Sequence, residues 1–600
     1  MQHLLICGVV GSAIIGSLLL TAGPAAPTAV WPQATWRAVI WAMAFFLANC
    51  LKLVLFDRIL ALEPLSPLDL AVNLAVTAPV TAAVLAQFLR PRLFRWLPVV
   101  YGLQAVYLFV SLAYFTTTGG LLHTPQWWCL AGEGLDAAAH GAVPFDWRLL
   151  IVGLDLPVFV GWWLVGRRQG ALLSGPLPRR LRLATAVALA VPLLAYAAAV
   201  RARLDPLRIY ERSFRSDTQI VAHFGLLAVN VVDLVRLPAG ADRLQPGPER
   251  TIASPSAGAR RNVVLIQVEA LDANLIEARH KGDWVVPFLH RLSTEAVYFP
   301  YALSHRQAGN SSDCTFACLN SIEPLSDYPT IKLRTYDYPN AVVRRLRDAG
   351  YRTIAFHGQP GRIFSFNTEL PRHGFVEFYD QHALALPTAG FGAADGPLLA
   401  AAATRLAAGH GPYFAYLLTN SSHEPFNSVP RFRPDPRFAD VSPRLLRDYC
   451  VSFAYVDAEL SRLVPQLLAD GRTTVILVGD HTPFNTRTDV PLVAGPTFRT
   501  CALHRDGVRL EFVPLLIVTP DGRRYREPAA AVSFLDVAPT ILAAAGGEWR
   551  YATDGDNLLS LPFTNPCIRF AGRSYPRTEL YQWAAQTTGG AAAESPRSTP

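Results

Sequence analysis

The chain has 600 residues, 51% of them hydrophobic, and its mean hydropathy is +0.23. This length indicates more than one structural unit. The apolar content is high for a soluble protein and fits a chain that lies partly in a membrane. The formal net charge is +8, but no basic patch interleaved with aromatic residues occurs, which argues against a nucleic-acid partner.

Six apolar runs in the first 200 residues have, or nearly have, the length of a membrane span, since a helix needs about 20 apolar residues to cross a bilayer. The run with Asp155 and Pro157 is the weakest of the six. The first run has a competing interpretation as a signal peptide, weakened by the missing basic segment before it and by the apolar runs that follow. We predict a transmembrane bundle of five or six helices over residues 1–200, with runs at 4–22, 37–56, 67–89, 97–118, 149–166 and 183–200.

Two groups of arginines orient this predicted bundle. Cytoplasmic loops of membrane proteins carry an excess of Arg and Lys, so the loop after the third run and the loop after the fifth run are both predicted to be cytoplasmic. Everything after about residue 201 then lies on the outer face of the membrane. The arginines are Arg90, Arg92 and Arg95 in the first loop and Arg167, Arg168, Arg179, Arg180 and Arg182 in the second.

Residues 201–261 are predicted to join the bundle to a globular region. Arginines alternate with apolar residues at near-helical spacing over 201–236. This pattern supports equally an interfacial helix on the membrane and a helix packed on the globular region. Residues 237–261 are rich in Pro, Gly, Ser and Ala and are predicted to be a linker. At the other end of the chain, residues 586–600 are predicted to be disordered.

The region 262–585 alternates short apolar runs with helical stretches such as 341–350 and 457–471. Short continuous apolar runs are typical of strands buried on both faces of a mainly parallel sheet. We therefore predict an α/β sandwich with a mainly parallel central sheet. The predicted strands are 262–268, 353–356, 412–418, 473–478 and 513–518.

Carboxylate and imidazole side chains follow four of these predicted strands. Ligands of open α/β sheets bind beyond the carboxyl ends of the strands. One such residue would be an ordinary turn former, but four strands that release them at one edge indicate a site. Oxygen ligands together with an imidazole suit a borderline divalent ion. The residues are Glu269, His357, His423 and the pair Asp480–His481.

The segment RQAGNSSDCTF, residues 306–316, places three hydroxyls between a Gly-Asn turn and an apolar helix. The start of a helix offers free backbone N–H groups and the positive end of the dipole, which favour an anion. A hydroxyl beside a metal ion loses its proton more easily. Ser311 alone could equally be an N-cap. Its register with Glu269 and Asp480–His481 makes it the predicted nucleophile.

These motifs resemble the alkaline phosphatase/sulfatase superfamily, and more narrowly the lipoteichoic acid synthases and phosphoglycerol transferases, with the phosphoethanolamine transferases as close relatives. Members join a membrane bundle to an extracytoplasmic hydrolase-like domain. The resemblance therefore implies the same layout and a metal-dependent transferase for this chain. It rests on VEA around Glu269, GNSSD at 309–313, FHG at 356–358, NSSHEPF at 420–426 and GDH at 479–481.

The resemblance also implies roles for individual residues. Glu269, Asp480 and His481 match metal ligands for one divalent ion, which is manganese, magnesium or zinc. Ser311 matches the nucleophile, which in the family is commonly threonine and is itself a metal ligand. His423 matches a histidine that contacts the transferred phosphate.

On the substrate side the sequence departs from the family pattern. The family usually has an arginine in the region after FHG, but Ser365 or Phe366 stands here at that position. Arg362, a few residues earlier, is the nearest substitute, and it joins His357 as a candidate substrate-binding residue. The headgroup specificity is therefore open.

The resemblance implies transfer of a phosphoglycerol or phosphoethanolamine headgroup from a membrane phospholipid to a cell-envelope glycan or lipid, through a covalent phosphoserine. It also implies a bacterial-type inner or plasma membrane. A membrane-anchored sulfatase or phosphodiesterase is the alternative among enzymes, and the sulfatase is less well supported because residues 311–315 lack the C/S-x-P-x-R pattern. A non-catalytic membrane sensor or scaffold is less well supported still, because neither the nucleophile nor a ligand is missing.

Overall fold

The computed structural model describes residues 33–169 and 217–588, apart from short gaps at 62–65, 89–90, 119, 125, 140–146, 236–240, 255–259, 427–428, 430–434, 443, 484–499, 506–507 and 527–528. The chain divides into two compact units. The first, which we call the bundle, comprises Met1–Thr124 and Pro144–Leu237. The second, which we call the C-terminal domain, comprises Pro125–Val143 and Pro238–Pro600.

In the described part of the bundle, four segments are long and apolar enough to cross a membrane. They match four of the six predicted spans, including the weakest one, while the runs at 4–22 and 183–200 lie outside the described residues. The segments are Ile40–Leu60, Pro67–Leu85, Leu97–Thr116 and Trp147–Arg168. The helices that contain them are Gln33–Leu60, Pro67–Gln87, Leu97–Thr118 and, after the 3-10 turn Trp147–Gly153, Leu156–Gln169.

Asp155, which made the fourth of these spans the weakest prediction, is neutralised inside the bundle. The Lys52 ammonium lies 2.9 Å from its carboxylate, and both side chains are fully buried. The Tyr101 hydroxyl donates to Asp155 at 2.8 Å, and the Asn49 amide donates at 2.7 Å. A charge within an apolar span is tolerated when such partners satisfy it.

The helices Asp217–Phe224 and Leu226–Val235 also belong to the bundle. Ile220 and Val221 are fully buried in one apolar cluster with Phe56 and Leu60 of the first helix. The sequence left open whether this region lies on the membrane surface or on the globular region. The structure instead packs residues 217–235 into the bundle, and residues 201–216 lie outside the described part.

A ten-stranded sheet forms the centre of the C-terminal domain. Its strands are β2 (Asn262–Val268), β5 (Val297–Leu303), β6 (Arg352–His357), β7 (Glu377–Tyr379), β10 (Tyr413–Leu418), β11 (Thr473–Gly479), β12 (Ala502–Arg505), β13 (Val508–Val518), β14 (Tyr525–Arg526) and β15 (Val532–Ser533). The main path through the sheet is β14-β5-β13-β11-β2-β10-β6-β7, and β12 pairs with β13 and β15 with β5.

The pairing confirms the mainly parallel sheet, with one exception. β11, β2, β10, β6 and β7 run parallel to one another. The predicted strand at 513–518 does not join them in that direction, because β13 is antiparallel to both β11 and β5. An apolar run buried on both faces looks the same in either direction, which is why the sequence did not distinguish them.

Shorter strands lie outside this sheet. β1 (Glu249–Ala253) falls in the predicted linker and pairs antiparallel with β16 (Glu548–Ala552), so that part of the linker belongs to the domain. The remaining pairs are β3 (Arg279–His280) with β4 (Asp283–Trp284), β8 (Thr388–Ala389) with β9 (Gly392–Ala393), and β17 (Cys567–Phe570) with β18 (Arg573–Pro576).

Helices cover both faces of the sheet, so the domain is a three-layer sandwich. In β2, Val263 and Leu265 enter one apolar core, whereas Val264 and Ile266 enter the other, as expected from the alternation of side chains along a strand. One core holds Ser311–Asn320, Val342–Asp348, Phe366–His373 and Val537–Ala545, and the other holds Pro287–Glu295, Asp395–Ala407 and Arg444–Leu468. A last helix, Arg577–Thr588, reaches the first residues of the predicted tail.

Candidate active site

The carboxyl ends of β2 and β11 bring the predicted ligands together. These two strands are neighbours, and Val268 pairs with Gly479 at their ends. The next residues, Glu269 and Asp480, therefore leave the sheet side by side. The Ala270 amide donates to Asp480 Oδ1 at 2.8 Å, which locks one strand end to the other.

Glu269, Asp480 and His481 form a buried cluster suited to a metal ion. One ligand atom from each lies within 4.8 Å of the other two. His481 Nε2 is 3.1 Å from Glu269 Oε1 and 3.7 Å from Asp480 Oδ1. Within the described residues this is the one group of three or more such side chains found close enough together to hold an ion.

The hydrogen bonds of His481 set its tautomer. Nδ1 lies 2.9 Å from the carbonyl oxygen of Thr482, so Nδ1 carries the proton and donates it to that carbonyl. Nε2 faces the two carboxylates and would be the ligand atom for an ion. A neutral imidazole whose second nitrogen is fixed by a backbone carbonyl is the arrangement usual for a histidine metal ligand.

The electrostatics of the cluster also favour a cation. Burial, and after it the charge of Glu269, raise the pKa of Asp480 to about 7. Burial opposes ionisation of Glu269 as well, but the neighbouring His481 keeps the pKa of Glu269 below its ordinary value. Two buried carboxylates this close cannot both ionise without a positive charge between them. The donor set therefore fits a divalent ion.

Ser311 lies against this cluster at the first turn of the helix Ser311–Asn320. Its Oγ is 3.1 Å from Glu269 Oε2 and 3.2 Å from His481 Nε2. The N-cap position belongs to Asn310, whose side chain makes no capping hydrogen bond. The Ser311 hydroxyl thus faces the candidate ligands instead of closing the helix.

A buried polar network supports Ser311 from below. Gln267 Nε2 donates to the Ser311 carbonyl at 3.2 Å and approaches Asp480 Oδ2 at 3.4 Å. Thr315 Oγ1 donates to Gln267 Oε1 at 3.1 Å and lies 2.8 Å from the Tyr416 hydroxyl. The network joins β2, β10 and the Ser311 helix, so Ser311 and the candidate ligands share one rigid frame.

Sequence reasoning missed Arg306. Its Nε and Nη2 donate to Asn310 Oδ1 at 3.1 and 2.9 Å, and its Nη1 lies 3.7 Å from Glu511. Asn310 has a φ of 50°, a region that non-glycine residues rarely occupy and that needs support from its surroundings. Arg306 supplies that support to Asn310, the residue directly before Ser311. The sequence feature that could have identified Arg306 is its place as a basic residue just before the Gly-Asn turn.

The two histidines predicted to bind substrate are placed near the cluster. Both histidines lie close enough to Glu269 to interact electrostatically with its carboxylate. His423 Nδ1 donates to the Glu424 carbonyl at 2.6 Å, which fixes the orientation of its ring. His357 is fully enclosed, and burial lowers its pKa to about 4.

Arg362 is placed differently from the other predicted residues. It is solvent-exposed and occupies the N-cap position of the short 3-10 turn Ile363–Ser365 without a side-chain capping hydrogen bond. The structure does not give it the buried position of Glu269, Asp480 and His481. Arg306 is the arginine that is buried beside the nucleophile turn.

The C-terminal domain is similar to known proteins. The sulfatase family model matches residues 261–547. Lipoteichoic acid synthase 2 of Bacillus subtilis is 26% identical over 324 residues, covering 51% of this chain and 49% of that protein. Lipoteichoic acid synthase of Staphylococcus aureus (strain NCTC 8325 / PS 47) is 24% identical over 343 residues, covering 54% and 52%. The chain thus spans about half the length of the curated relatives it matches.

Among solved structures, the integral membrane protein lipooligosaccharide phosphoethanolamine transferase A of Neisseria meningitidis aligns over most of the molecule. The match covers 86% of this chain and 94% of that one, with a TM-score of 0.50 and 14% sequence identity. At this identity the likeness shows a shared fold.

Proposed function

We propose that the protein is a membrane-anchored, metal-dependent transferase, a proposal supported by the match of residues 261–547 to the sulfatase family model. It moves a phosphoglycerol or phosphoethanolamine headgroup from a membrane phospholipid to a glycan or lipid acceptor of the cell envelope. The names of the curated relatives, lipoteichoic acid synthases, support the phosphoglycerol headgroup. The arginine-rich loops support an outer-face position for the C-terminal domain.

The observation that carries this proposal is the position of the Ser311 hydroxyl. Its Oγ lies 3.1 Å from Glu269 and 3.2 Å from His481, at the start of a helix whose positive dipole end favours a phosphate. A serine that served only as a cap would direct its oxygen at its own backbone.

In the first step, Ser311 Oγ forms a bond to the phosphorus of the lipid headgroup. The bond from phosphorus to the diacylglycerol oxygen breaks, and the proton lost by Ser311 balances the proton gained by that leaving oxygen. Diacylglycerol departs, and a phosphodiester links the headgroup to Ser311. In the second step an acceptor hydroxyl attacks the same phosphorus, and Ser311 is freed with its proton restored.

The side chains around Ser311 have distinct roles in this proposal. Glu269, Asp480, His481 and Ser311 would hold one divalent ion, which would neutralise phosphoryl charge and favour loss of the hydroxyl proton. His423, with both ring nitrogens protonated, would donate from Nε2 to a phosphoryl oxygen, while its Nδ1 is held by the Glu424 carbonyl. The anchoring of the protein in the membrane keeps the site close to its lipid donor.

The test uses the full chain in vesicles that contain labelled phosphatidylglycerol or phosphatidylethanolamine, with Mn²⁺, Mg²⁺ or Zn²⁺ added in turn. We expect diacylglycerol release from one of the two lipids and a labelled headgroup on the protein that maps to Ser311. Ser311→Ala abolishes both signals. Which lipid reacts decides between the two headgroups.

The matched control is Ser461→Ala, which removes a helix serine whose Oγ donates to the Ala458 carbonyl of its own helix. This variant should release diacylglycerol at the wild-type rate. Release from neither lipid, with any of the three ions, would contradict the transferase. Turnover of an aryl sulfate in its place would favour the sulfatase.

A further inference from the structure

Residues 126–139 lie between two apolar spans in the sequence, yet they belong to the C-terminal domain. They form the short helices Gln126–Cys129 and Ala131–Ala139, which we call the inserted segment. Lys332 of the domain holds this segment. Its ammonium donates to the Cys129 carbonyl at 2.6 Å and forms an ion pair with the Glu133 carboxylate.

This ion pair is largely enclosed, since 9% of the Lys332 side chain and 17% of the Glu133 side chain are exposed. The Lys332 ammonium also lies over the Phe364 ring, 5.8 Å from its centroid. An enclosed ammonium keeps its position only while its carboxylate partner is in place, because neither water nor another charge replaces the partner easily. The seating of the inserted segment therefore fixes Lys332.

Lys332 is two hydrogen bonds away from the nucleophile turn. It ends the 3-10 turn Thr330–Lys332, and the Thr330 amide of that turn donates to Asp313 Oδ1 at 3.0 Å. Asp313 Oδ2 accepts in turn from the Gly309 amide at 2.6 Å. Asp313 is fully buried, so water cannot replace the hydrogen bonds that it accepts from these two amides.

We infer that the inserted segment positions Ser311. Glu133 and Lys332 hold the 3-10 turn, that turn holds Asp313, and Asp313 holds the Gly309 turn that presents the Ser311 hydroxyl. Neither Glu133 nor Lys332 touches the reacting atoms, so both are positioning residues. The kinetic consequence rests on the proposed function, whereas the structural coupling does not. The coupling makes the nucleophile depend on a segment that the chain places between two membrane spans.

The structural arm of the test is hydrogen exchange of the full chain in detergent micelles, comparing wild type with Glu133→Gln and Lys332→Met. We expect at least about threefold faster exchange in peptides that cover 306–316 and 326–333, since these amides lose their fixed partners. Exchange in β2, at residues 262–268, stays unchanged. The matched control is Glu377→Gln, which breaks the Arg352–Glu377 pair elsewhere in the same domain.

The kinetic arm measures diacylglycerol release by the same variants. We expect kcat to fall by about tenfold, the loss typical of residues that orient a catalytic group, while KM for the lipid is unchanged. The charge-swapped double variant Glu133→Lys/Lys332→Glu should restore the wild-type hydrogen-exchange rate and the wild-type kcat. If either single variant fails to fold, the double variant Glu133→Gln/Lys332→Met, which leaves no unpaired charge, replaces it.

Unchanged exchange over 306–316 in the folded single variants would overturn the inference, whatever happens to activity. Faster exchange in a protein whose wild type releases no diacylglycerol would remove the proposed function and leave the coupling in place. An equal effect of Glu377→Gln on 306–316 would show general loosening of the domain and would also overturn the inference.

Discussion

The bundle and the C-terminal domain both bury charged side chains, but they neutralise them in different ways. In the bundle, the fully buried Lys52 and Asp155 face each other at 2.9 Å as one cation and one anion. In the C-terminal domain, Glu269 and Asp480 converge on a single histidine, His481. The first group is complete in itself, whereas the second has an excess of negative charge.

This difference separates buried charges that are neutralised by other side chains from buried charges that a bound ion would neutralise. A matched ion pair with hydrogen bonds on its remaining atoms needs nothing further and contributes little net stability over an apolar replacement. Unmatched carboxylates are costly to bury and persist where a bound charge offsets the cost. The comparison therefore predicts that substitutions in the two groups will have opposite signatures, one on stability and one on binding.

The largest expected effect is on the stability of the bundle. Lys52→Met leaves Asp155 buried without its cation, which should lower the free energy of unfolding by about 3–5 kcal/mol. The double variant Lys52→Met/Asp155→Leu should regain most of this loss. Calorimetric unfolding of the full chain in detergent measures both. If the double variant is as unstable as the single one, the two side chains contribute more to stability than mutual neutralisation. That result would contradict the description of the pair as complete in itself.

The next largest effect is on metal binding. Asp480→Asn keeps the acceptor for the Ala270 and His481 amides but removes a negative charge, so the retained ion should be lost. Headgroup transfer should fall by more than about 100-fold, the upper loss known for residues that only support metal ligands. Metal analysis of the purified chain, with and without chelator, measures this change together with lipid turnover.

The control for that variant is Asp457→Asn. Asp457 is another buried aspartate that accepts from two backbone amides, those of Phe288 and Leu289, but it lies outside the cluster. It should retain the ion. Loss of the ion from Asp457→Asn, or its retention by Asp480→Asn, would contradict the assignment of the cluster as the metal site.

Arg306→Lys sharpens the comparison within the site. Lysine preserves the positive charge but cannot make both bonds to Asn310 Oδ1, because its ammonium is a point charge without the planar fork of arginine. We expect kcat for headgroup transfer to fall by about tenfold with the metal retained. Arg347→Lys, at an exposed arginine, should leave kcat unchanged. A change in metal content without a change in kcat would reverse the role assigned to Arg306.

Much of the site could be predicted because it follows from strand ends. Glu269 and Asp480 come directly after apolar runs, and parallel strands deliver such residues to one edge. Arg306 could not be found this way, because its role depends on a bond to Asn310 whose conformation no local pattern announces. Glu133 is more than 170 residues from the turn it supports, so only the folded chain reveals the contact. The direction of β13 escaped prediction for a related reason, since burial on both faces carries no direction.

The smallest expected effect separates burial from function within the C-terminal domain itself. His373 is fully buried, stacks on Tyr338 with ring centroids 3.6 Å apart, and donates from Nδ1 to the Glu369 carbonyl. Burial lowers the pKa of His373 to about 3, whereas an unfolded histidine titrates near 6.5.

Below pH 6.5 the unfolded chain therefore binds a proton that the folded chain refuses, so stability is present above that pH and is lost as the pH falls towards 3. The loss should approach about 1 kcal/mol per pH unit. His373→Phe keeps the stacking and removes the titration, so its free energy of unfolding should change less than that of wild type between pH 6.5 and 5. The exposed His382 provides the control His382→Phe. If the free energy of unfolding falls equally steeply with pH in His373→Phe and in wild type, His373 does not cause the loss of stability in acid. Burial of His373 would then carry no electrostatic cost, unlike burial of the Glu269–Asp480–His481 cluster.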